Sequence, residues 1–105
     1  MIDHIVLCRL KPEVDPQTLE DMVRSSRSHL LKIPEVLRVS SGRNLDPDSE
    51  WTFYFSVEVE SSEKLRMTQD DPVYHRFLEK IIRPHTEIHN TFNFETDPSK
   101  DLRYS

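Results

Sequence analysis

The sequence predicts an α+β domain in which helices cover one face of a single antiparallel sheet. Segments with an apolar residue at every second position, as strands require, alternate with segments whose apolar residues recur every three or four positions. The order is strand, helix, strand, strand, helix, strand, which is the split βαβ arrangement of ferredoxin-like folds. Only 35% of the 105 residues are hydrophobic, so one small core must stabilise the chain.

The first strand is predicted from about Ile2 to Leu10, a run rich in side chains that favour strands. Side chains alternate between the two faces of a strand, so His4 lies on the same face as Val6 and Cys8. An imidazole among apolar neighbours is either a hydrogen-bonded core group or the polar end of a pocket.

A helix is predicted after this strand. Asp15 is its expected N-cap and Pro16 its first residue, where a proline does not need an N–H group. The helix is expected to end near Lys32, because the residue before Pro34 is disfavoured in the helical region. Its apolar stripe includes Leu19, Met22, Val23 and Leu30.

The two middle strands are predicted at Val36–Arg43 and Trp51–Glu60, on either side of a polar loop. The second has the clearest alternation in the chain. Its apolar face consists of Trp51, Phe53, Phe55, Val57 and Val59.

The second helical region is predicted in two parts. Ser61 or Ser62 caps a short helix, and Asp71 followed by Pro72 starts another, which Pro84 ends. The inner stripe of the second part consists of Val73, Tyr74, Phe77, Leu78, Ile81 and Ile82.

The last strand is predicted from about Thr86 to Phe94. The residues from 96 to 105 are polar and are interpreted as a loose tail, or as an arm that docks on a partner chain. The domain itself is therefore expected to cover residues 1–95.

Composition excludes several classes of function. The formal charge of −5 argues against nucleic-acid binding, and no segment approaches the ~20 apolar residues of a membrane span. Gly42 is the only glycine, which excludes a glycine-rich phosphate loop. Cys8 is the only cysteine, so no internal disulfide forms, and without a leader at the N-terminus a cytoplasmic protein is expected.

No metal or other cofactor is predicted. His85, Glu87 and His89 are close in sequence, and His75 and Glu79 precede them in the helix. Three neighbouring side chains on an exposed strand are nevertheless a poor match to a metal site.

One face of the predicted sheet is left without cover. The helices can cover the face that carries His4 and Phe55, whereas the opposite face, with Ile5, Leu7 and Tyr54, stays open. A half-apolar open face predicts a homodimer in which sheet packs on sheet.

Two polar side chains on apolar faces are the candidate catalytic residues. His4 has the side chain best suited to remove a proton at neutral pH, and Tyr74 can donate a hydrogen bond to an enolate oxygen. The alternative is structural. His4 is then a core histidine that donates to a backbone carbonyl or to Tyr74, and Tyr74 is a core side chain.

The aromatic side chains allow a similar choice. They either line a ligand cleft between the sheet and the helices or simply fill the core of a small domain. The candidates for ligand binding are Trp51, Phe53, Phe55, Phe77 and Phe92.

Several short segments, taken in order, carry a resemblance to a known family. They are His4-Ile-Val-Leu with Lys11-Pro12, Ile33-Pro34-Glu-Val36, Gly42-Arg-Asn-Leu45, Trp51-Thr52, Val57-Glu-Val-Glu-Ser61 and Asp71-Pro-Val-Tyr-His-Arg-Phe77. With these segments the chain resembles the stress-responsive A/B barrel (Dabb) family of the dimeric α+β barrel group, over about residues 1–95.

The resemblance implies dimers in which two sheets close a barrel, and most of the family has no established reaction. Its best-understood plant relatives are polyketide cyclases that need no cofactor, with a histidine as base and an assisting tyrosine. Of their four polar positions, the first-strand histidine matches His4. The others fall at Tyr74, near Thr68 and at Phe53, so cyclase activity is not supported.

Two functions are consistent with these residues. The first is a small-molecule binding protein, with an apolar or carbonyl ligand in a cleft between sheet and helices and His4 and Tyr74 at its polar end. The second is a cofactor-free lyase or cyclase, with His4 as base and Tyr74 as hydrogen-bond donor.

Overall fold

The computed structural model describes residues 1–97 and confirms the predicted α+β class and element order. Between the last helix and the last strand lie a π-helical turn, Leu78–Ile82, and a 3-10 turn, Arg83–His85. The other elements are β1 (Ile2–Leu10), α1 (Pro16–Leu30), β2 (Arg38–Arg43), β3 (Phe53–Val59), α2 (Ser62–Asp70), α3 (Pro72–Phe77) and β4 (Thr86–Glu95).

The four strands form one antiparallel sheet in the order β2-β3-β1-β4. β1 is central, and its register places His4 opposite Val57 of β3 on one side and Asn93 of β4 on the other. The edges of the sheet are β2 and β4. This is the strand order of a split βαβ fold, so the ferredoxin-like prediction is confirmed.

The core lies between the helices and one face of the sheet. Phe53 and Phe55 of β3 are buried there, and the ring of Phe55 meets that of Phe77 edge-on, with the centroids 5.1 Å apart. This geometry is favourable because the positive edge of one ring faces the negative face of the other. Met22 and Leu30 of α1 are buried against the same face.

The opposite face of the sheet has no cover from residues 1–97. Phe92 and Phe94 of β4 are 42% and 54% exposed, and their rings stack with centroids 6.2 Å apart. The prediction that Phe92 lines the cleft under the helices is therefore wrong. Phe92 pairs with Ile5, a residue of the open face, and the pleat turns both side chains to that side.

Side chains cap all three α-helices at the predicted positions. The side-chain oxygens of Asp15, Ser61 and Asp71 each accept a hydrogen bond from a backbone N–H group in the first turn, at 2.8 to 3.2 Å. Each cap satisfies a donor that has no partner inside the helix.

Several boundaries differ from those predicted. α1 ends at Leu30 and not near Lys32, because the chain tightens there into turns with hydrogen bonds three residues back. β2 begins at Arg38, since the N–H of Val36 bonds within a preceding turn. β3 excludes Trp51, whose N–H bonds to a side chain in the loop before it.

The end of the chain is described only in part. The N–H of Thr96 donates to the carbonyl of Met1 at 2.8 Å, one residue beyond β4. Residues 98–105, most of the predicted polar tail, lie outside the described residues, and the division into a domain of 1–95 and a tail stays a prediction. Among residues 1–97, no helix is long and apolar enough to cross a membrane.

Asp71 is expected to stabilise the start of α3. Asp71→Ala removes the acceptor for the N–H of Val73 and should lower the free energy of unfolding by about 1 kcal/mol, measured by urea denaturation. Asp70→Ala is the matched control, because the exposed side chain of Asp70 makes no hydrogen bond or ion pair within residues 1–97. The control should stay within about 0.5 kcal/mol of the wild type. Equal losses in both variants would contradict the capping role.

Candidate functional site

The candidate site is centred on His4, in the middle of the covered face. Its side chain lies between Val57 and Asn93 of the adjacent strands, and only 1% of the residue is exposed. A buried imidazole without hydrogen bonds would lose the free energy of its hydration, so its partners decide what it can do.

His4 has a partner on each ring nitrogen. Nδ1 lies 2.6 Å from Oδ1 of Asn93, and Nε2 lies 2.8 Å from the hydroxyl oxygen of Tyr74. Because an amide oxygen only accepts hydrogen bonds, Nδ1 carries the proton and donates to Asn93. Nε2 then holds the lone pair and accepts from the hydroxyl of Tyr74. The result is a hydrogen-bonded chain from Tyr74 through His4 to Asn93.

Tyr74 reaches His4 because of how α3 begins. Asp71 caps this helix and Pro72 occupies its first turn, so Tyr74 lies on the side that faces the sheet, and only 5% of it is exposed. Its ring centroid is 6.0 Å from that of His4. A hydrogen bond between the two was one of the predicted alternatives and is present, but the hydroxyl of Tyr74 is the donor.

Burial sets the protonation state of both groups. It lowers the pKa of His4 below the usual 6.5, and the hydrogen bond to Asn93 offsets part of this effect. Burial also raises the pKa of Tyr74 well above its usual value, and the neighbouring Cys8 raises it further. At neutral pH the pair is therefore a neutral phenol and a neutral imidazole.

A cavity of about 510 Å³ opens onto this pair. Its apolar wall is formed by Val6 of β1 and by Leu78 and Ile82 of the π-helical turn. Its volume lies in the range of small-molecule sites. His4 and Tyr74 are the buried polar residues of its lining, and the more exposed polar ones are Gln69, Arg83, Thr86, Glu87, His89 and Thr91. The hydroxyl oxygen of Thr86 is itself buried.

The predicted aromatic residues lie elsewhere. Phe53, Phe55 and Phe77 are 0 to 1% exposed in the core and do not line the cavity of His4. Trp51 is half-buried in the loop just before β3, beside a separate hollow. The structure thus brings His4 and Tyr74 together, whereas the four aromatic residues lie away from this pair. Contact between these aromatic residues and a ligand stays a prediction.

Two parts of the site were not predicted from the sequence. Asn93 is brought to His4 by the pairing of β4 with β1, and the alternation of β4 does place it on the face opposite Phe92. Only the strand register, a long-range property, shows that this face meets His4. The π-helical turn at Leu78–Ile82 interrupts a stripe that reads as one continuous helix.

The histidines considered as metal ligands have other surroundings. Nδ1 of His85 lies 2.8 Å from the carbonyl oxygen of Ile81, and Glu87 forms an ion pair with Arg9 at 3.3 Å. Within residues 1–97, no group of three or more histidine, cysteine or acidic side chains is placed to hold a metal ion.

The fold and the site are those of a ferredoxin-like α+β domain with a buried histidine facing a cavity between sheet and helices. Residues 2–96 match the stress responsive A/B barrel domain, and the chain belongs to that family. No match was found among the curated proteins.

Solved structures with the same fold come from bacteria and plants. A dimeric ferredoxin-like protein of unknown function from Thermobifida fusca is 24% identical, with a TM-score of 0.79 and 90% of each chain covered. A Dabb family protein from Mesorhizobium loti is 20% identical, with a TM-score of 0.78 over 90% of this chain and 95% of that one. A hydroxynitrile lyase from Passiflora edulis is 18% identical, with a TM-score of 0.76 over 92% and 94%. These TM-scores establish a common fold.

The lowered pKa of His4 predicts a pH-dependent stability. Below the usual value of 6.5 the unfolded chain binds a proton that folded His4 does not, so protonation favours unfolding. The free energy of unfolding should fall as the pH drops below 6.5, by at most about 1.4 kcal/mol per pH unit from this group, and level off below the lowered pKa. Urea denaturation over about pH 5.5 to 7.5 measures this loss.

Two variants assign the effect to His4. His4→Gln should remove this part of the pH dependence, whereas His75→Gln, which replaces an exposed histidine of α3, should keep it. An unchanged pH profile in His4→Gln would show that other groups cause the loss.

Proposed function

We propose that this protein binds a small, mainly apolar ligand that carries a carbonyl group, in the cavity between the sheet and the helices. The observation that carries this proposal is the His4–Tyr74 hydrogen bond, which is buried yet lies on the wall of a cavity of about 510 Å³. A purely structural pair needs no cavity beside it.

The chemistry of the two groups favours a carbonyl compound. The raised pKa of Tyr74 keeps its hydroxyl protonated, so it can turn from Nε2 and donate to a carbonyl oxygen. Nε2 of His4 is then left with a lone pair that a hydroxyl group of the ligand can satisfy, while Nδ1 still donates to Asn93. A β-hydroxy ketone offers both groups, so neither the hydroxyl of Tyr74 nor Nε2 of His4 is left without a partner.

A cofactor-free lyase is the second candidate. The hydrogen bond from Nδ1 of His4 to Asn93 favours it, because it leaves Nε2 with the lone pair that can accept a proton. In such a reaction Nε2 takes the hydroxyl proton of a β-hydroxy ketone, and the adjacent carbon–carbon bond breaks. An aldehyde forms, and the electron pair passes to an enolate oxygen that accepts from Tyr74 and regains the proton from His4. The hydroxynitrile lyase from Passiflora edulis has the same fold.

Two features favour binding over this reaction. The lowered pKa makes His4 a weak base. Asn93 is neutral, whereas a carboxylate in that position would stabilise the imidazolium ion that proton abstraction creates. Binding is therefore our primary proposal.

The ligand proposal is tested with the β-hydroxy ketone 4-hydroxy-4-phenylbutan-2-one and with the hydrocarbon butylbenzene. Calorimetric titration should show tighter binding of the ketone, and Tyr74→Phe should weaken that binding about tenfold through loss of one hydrogen bond. Tyr54→Phe is the control, since the hydroxyl of Tyr54 bonds to Ser40 and lies outside the cavity.

The outcomes of this experiment distinguish a binding protein from a lyase and test the role of Tyr74. Equal affinity for ketone and hydrocarbon, or equal losses in the two tyrosine variants, would contradict the proposed role of Tyr74. Benzaldehyde released from the ketone by the wild type but not by a folded His4→Ala variant would favour the lyase. Binding without benzaldehyde supports a binding protein.

We also propose a homodimer through the open face of the sheet, in the cytoplasm. Ile88, Phe92 and Phe94 are exposed there in one chain, and an apolar surface of this kind is stabilised by a second copy. The Thermobifida fusca relative is described as dimeric. A reducing compartment fits the single cysteine, Cys8, which is buried and unpaired.

Phe92→Glu is expected to dissociate this dimer, because it places a charge in the middle of the apolar face. Light scattering coupled to size exclusion should give the mass of a dimer for the wild type and of a monomer for the variant. Leu45→Glu is the control and should remain dimeric, since Leu45 is 88% exposed in the loop between β2 and β3 and is not part of the sheet. A wild type that is monomeric at all concentrations would refute the proposal.

A further inference from the structure

A second hollow lies at the other edge of the sheet, between α1 and the edge strand β2. Its volume is about 330 Å³. β3 and β1 separate β2 from β4, so this hollow is distant from the cavity of His4. Leu19 and Val23 of α1 give it an apolar wall, and three arginines surround it: Arg24, Arg27 and Arg43.

The positive charge of this hollow is mostly uncompensated. Arg24 pairs with Glu20 at 3.0 Å, and Glu20 is the only acidic residue of the lining. Arg27 donates to the carbonyl of Ser41 at 3.2 Å and forms no ion pair within residues 1–97. The side chain of Arg43 makes no hydrogen bond or ion pair in the same part of the chain. In a protein with a net charge of −5, two unpaired guanidinium groups around one hollow favour an anion there.

Backbone N–H groups of β2 are further hydrogen-bond donors beside this hollow. The N–H of Asn44 bonds to the carbonyl of Thr52, and bonded positions alternate along an antiparallel pair. Ser41 and Arg43 are therefore positions whose N–H groups point away from β3, towards the open edge. The carbonyl group of Ser41 also points away from β3, because it accepts its hydrogen bond from the side chain of Arg27.

The hollow is held open by a contact between its two walls. The hydroxyl of Ser41, a buried residue of β2, donates to the carbonyl of Val23 in α1 at 2.8 Å. Together with the bond from Arg27, this fixes the spacing of helix and strand. An anion would enter a site that is already formed, which limits the entropic cost of binding.

We propose that this hollow binds a small organic oxyanion, a phosphate monoester or a carboxylate, through Arg27 and Arg43. Planar guanidinium groups suit both anions because they offer two parallel N–H donors. The apolar wall of Leu19 and Val23 contacts the body of the ligand. This site is independent of the function proposed for the His4 cavity.

The test uses the full chain and three probes of similar shape: phenyl phosphate, benzoate and the uncharged benzamide. Titrations by calorimetry at constant ionic strength should show saturable binding of at least one anion and none of benzamide. Arg43→Gln should weaken that binding about tenfold or more. Arg66→Gln removes the same charge from an exposed position of α2 outside the hollow and should have little effect.

The outcomes show which anion the site prefers and whether it needs the planar donors of Arg43 or only its charge. Tighter binding of phenyl phosphate identifies a phosphate site, and tighter binding of benzoate a carboxylate site. Arg43→Lys, which keeps the charge but not the planar donors, should bind more weakly than the wild type and more tightly than Arg43→Gln.

Three results would overturn the proposal. They are the absence of saturable anion binding, an equal loss of affinity in Arg66→Gln, and anion binding that appears only in the Phe92→Glu variant. The last result would mean that a second copy of the chain covers the β2 edge. Arg43→Gln should fold normally, as circular dichroism can verify, because the side chain of Arg43 makes no hydrogen bond or ion pair within residues 1–97.

Discussion

The helices of this protein cover one face of a four-stranded sheet and leave the other face open, and the rest of the structure follows from that constraint. Along β1 the even-numbered positions from Ile2 to Cys8 are buried under the helices, while the odd-numbered positions face outward. A slip of one residue would exchange the two sets and expose His4. The alternation therefore fixes the core, the position of the imidazole and the face of the sheet that stays open.

The state of His4 follows from its burial. Removing an imidazole from water disfavours its charged form, and no acidic side chain replaces the lost hydration, because its partners are the amide of Asn93 and the hydroxyl of Tyr74. Both partners are neutral, so the site holds a chain of neutral hydrogen bonds and no ion pair. Such a chain can exchange one partner for a ligand without separating charges, which suits recognition better than proton abstraction.

Local patterns in the sequence identify the parts of the structure that depend on local physics. The strand alternation that buries His4 and the caps at Asp15 and Asp71 are visible in the sequence, since each involves residues within one turn or one strand. The amide of Asn93 meets His4 only through the pairing of strands that are distant in the chain. Sequence spacing does not encode that register, and it does not reveal the π-helical turn beside Tyr74.

The error on Phe92 has a physical cause of its own. Its neighbours two positions away, Asn90 and Phe94, make a face that looks like core, and the usual rule assigns the more apolar face of a strand to the helices. β4 is an edge strand that presents its apolar face to the open side instead. The rule fails where the apolar face of a strand is not covered by its own chain.

β4 also links the open face to the site. Almost every residue of this strand is exposed in the single chain, so its position depends on its hydrogen bonds to β1 and little on burial. Phe92 and Phe94 on one side alternate with Asn93 on the other, which accepts the hydrogen bond from His4. A second copy packed on the two phenylalanines would hold β4 against β1, and through the same strand would hold Asn93 against the imidazole. The open face and the polar end of the cavity are thus two faces of one strand, so in the proposed dimer a change that loosens the first would also act on the second.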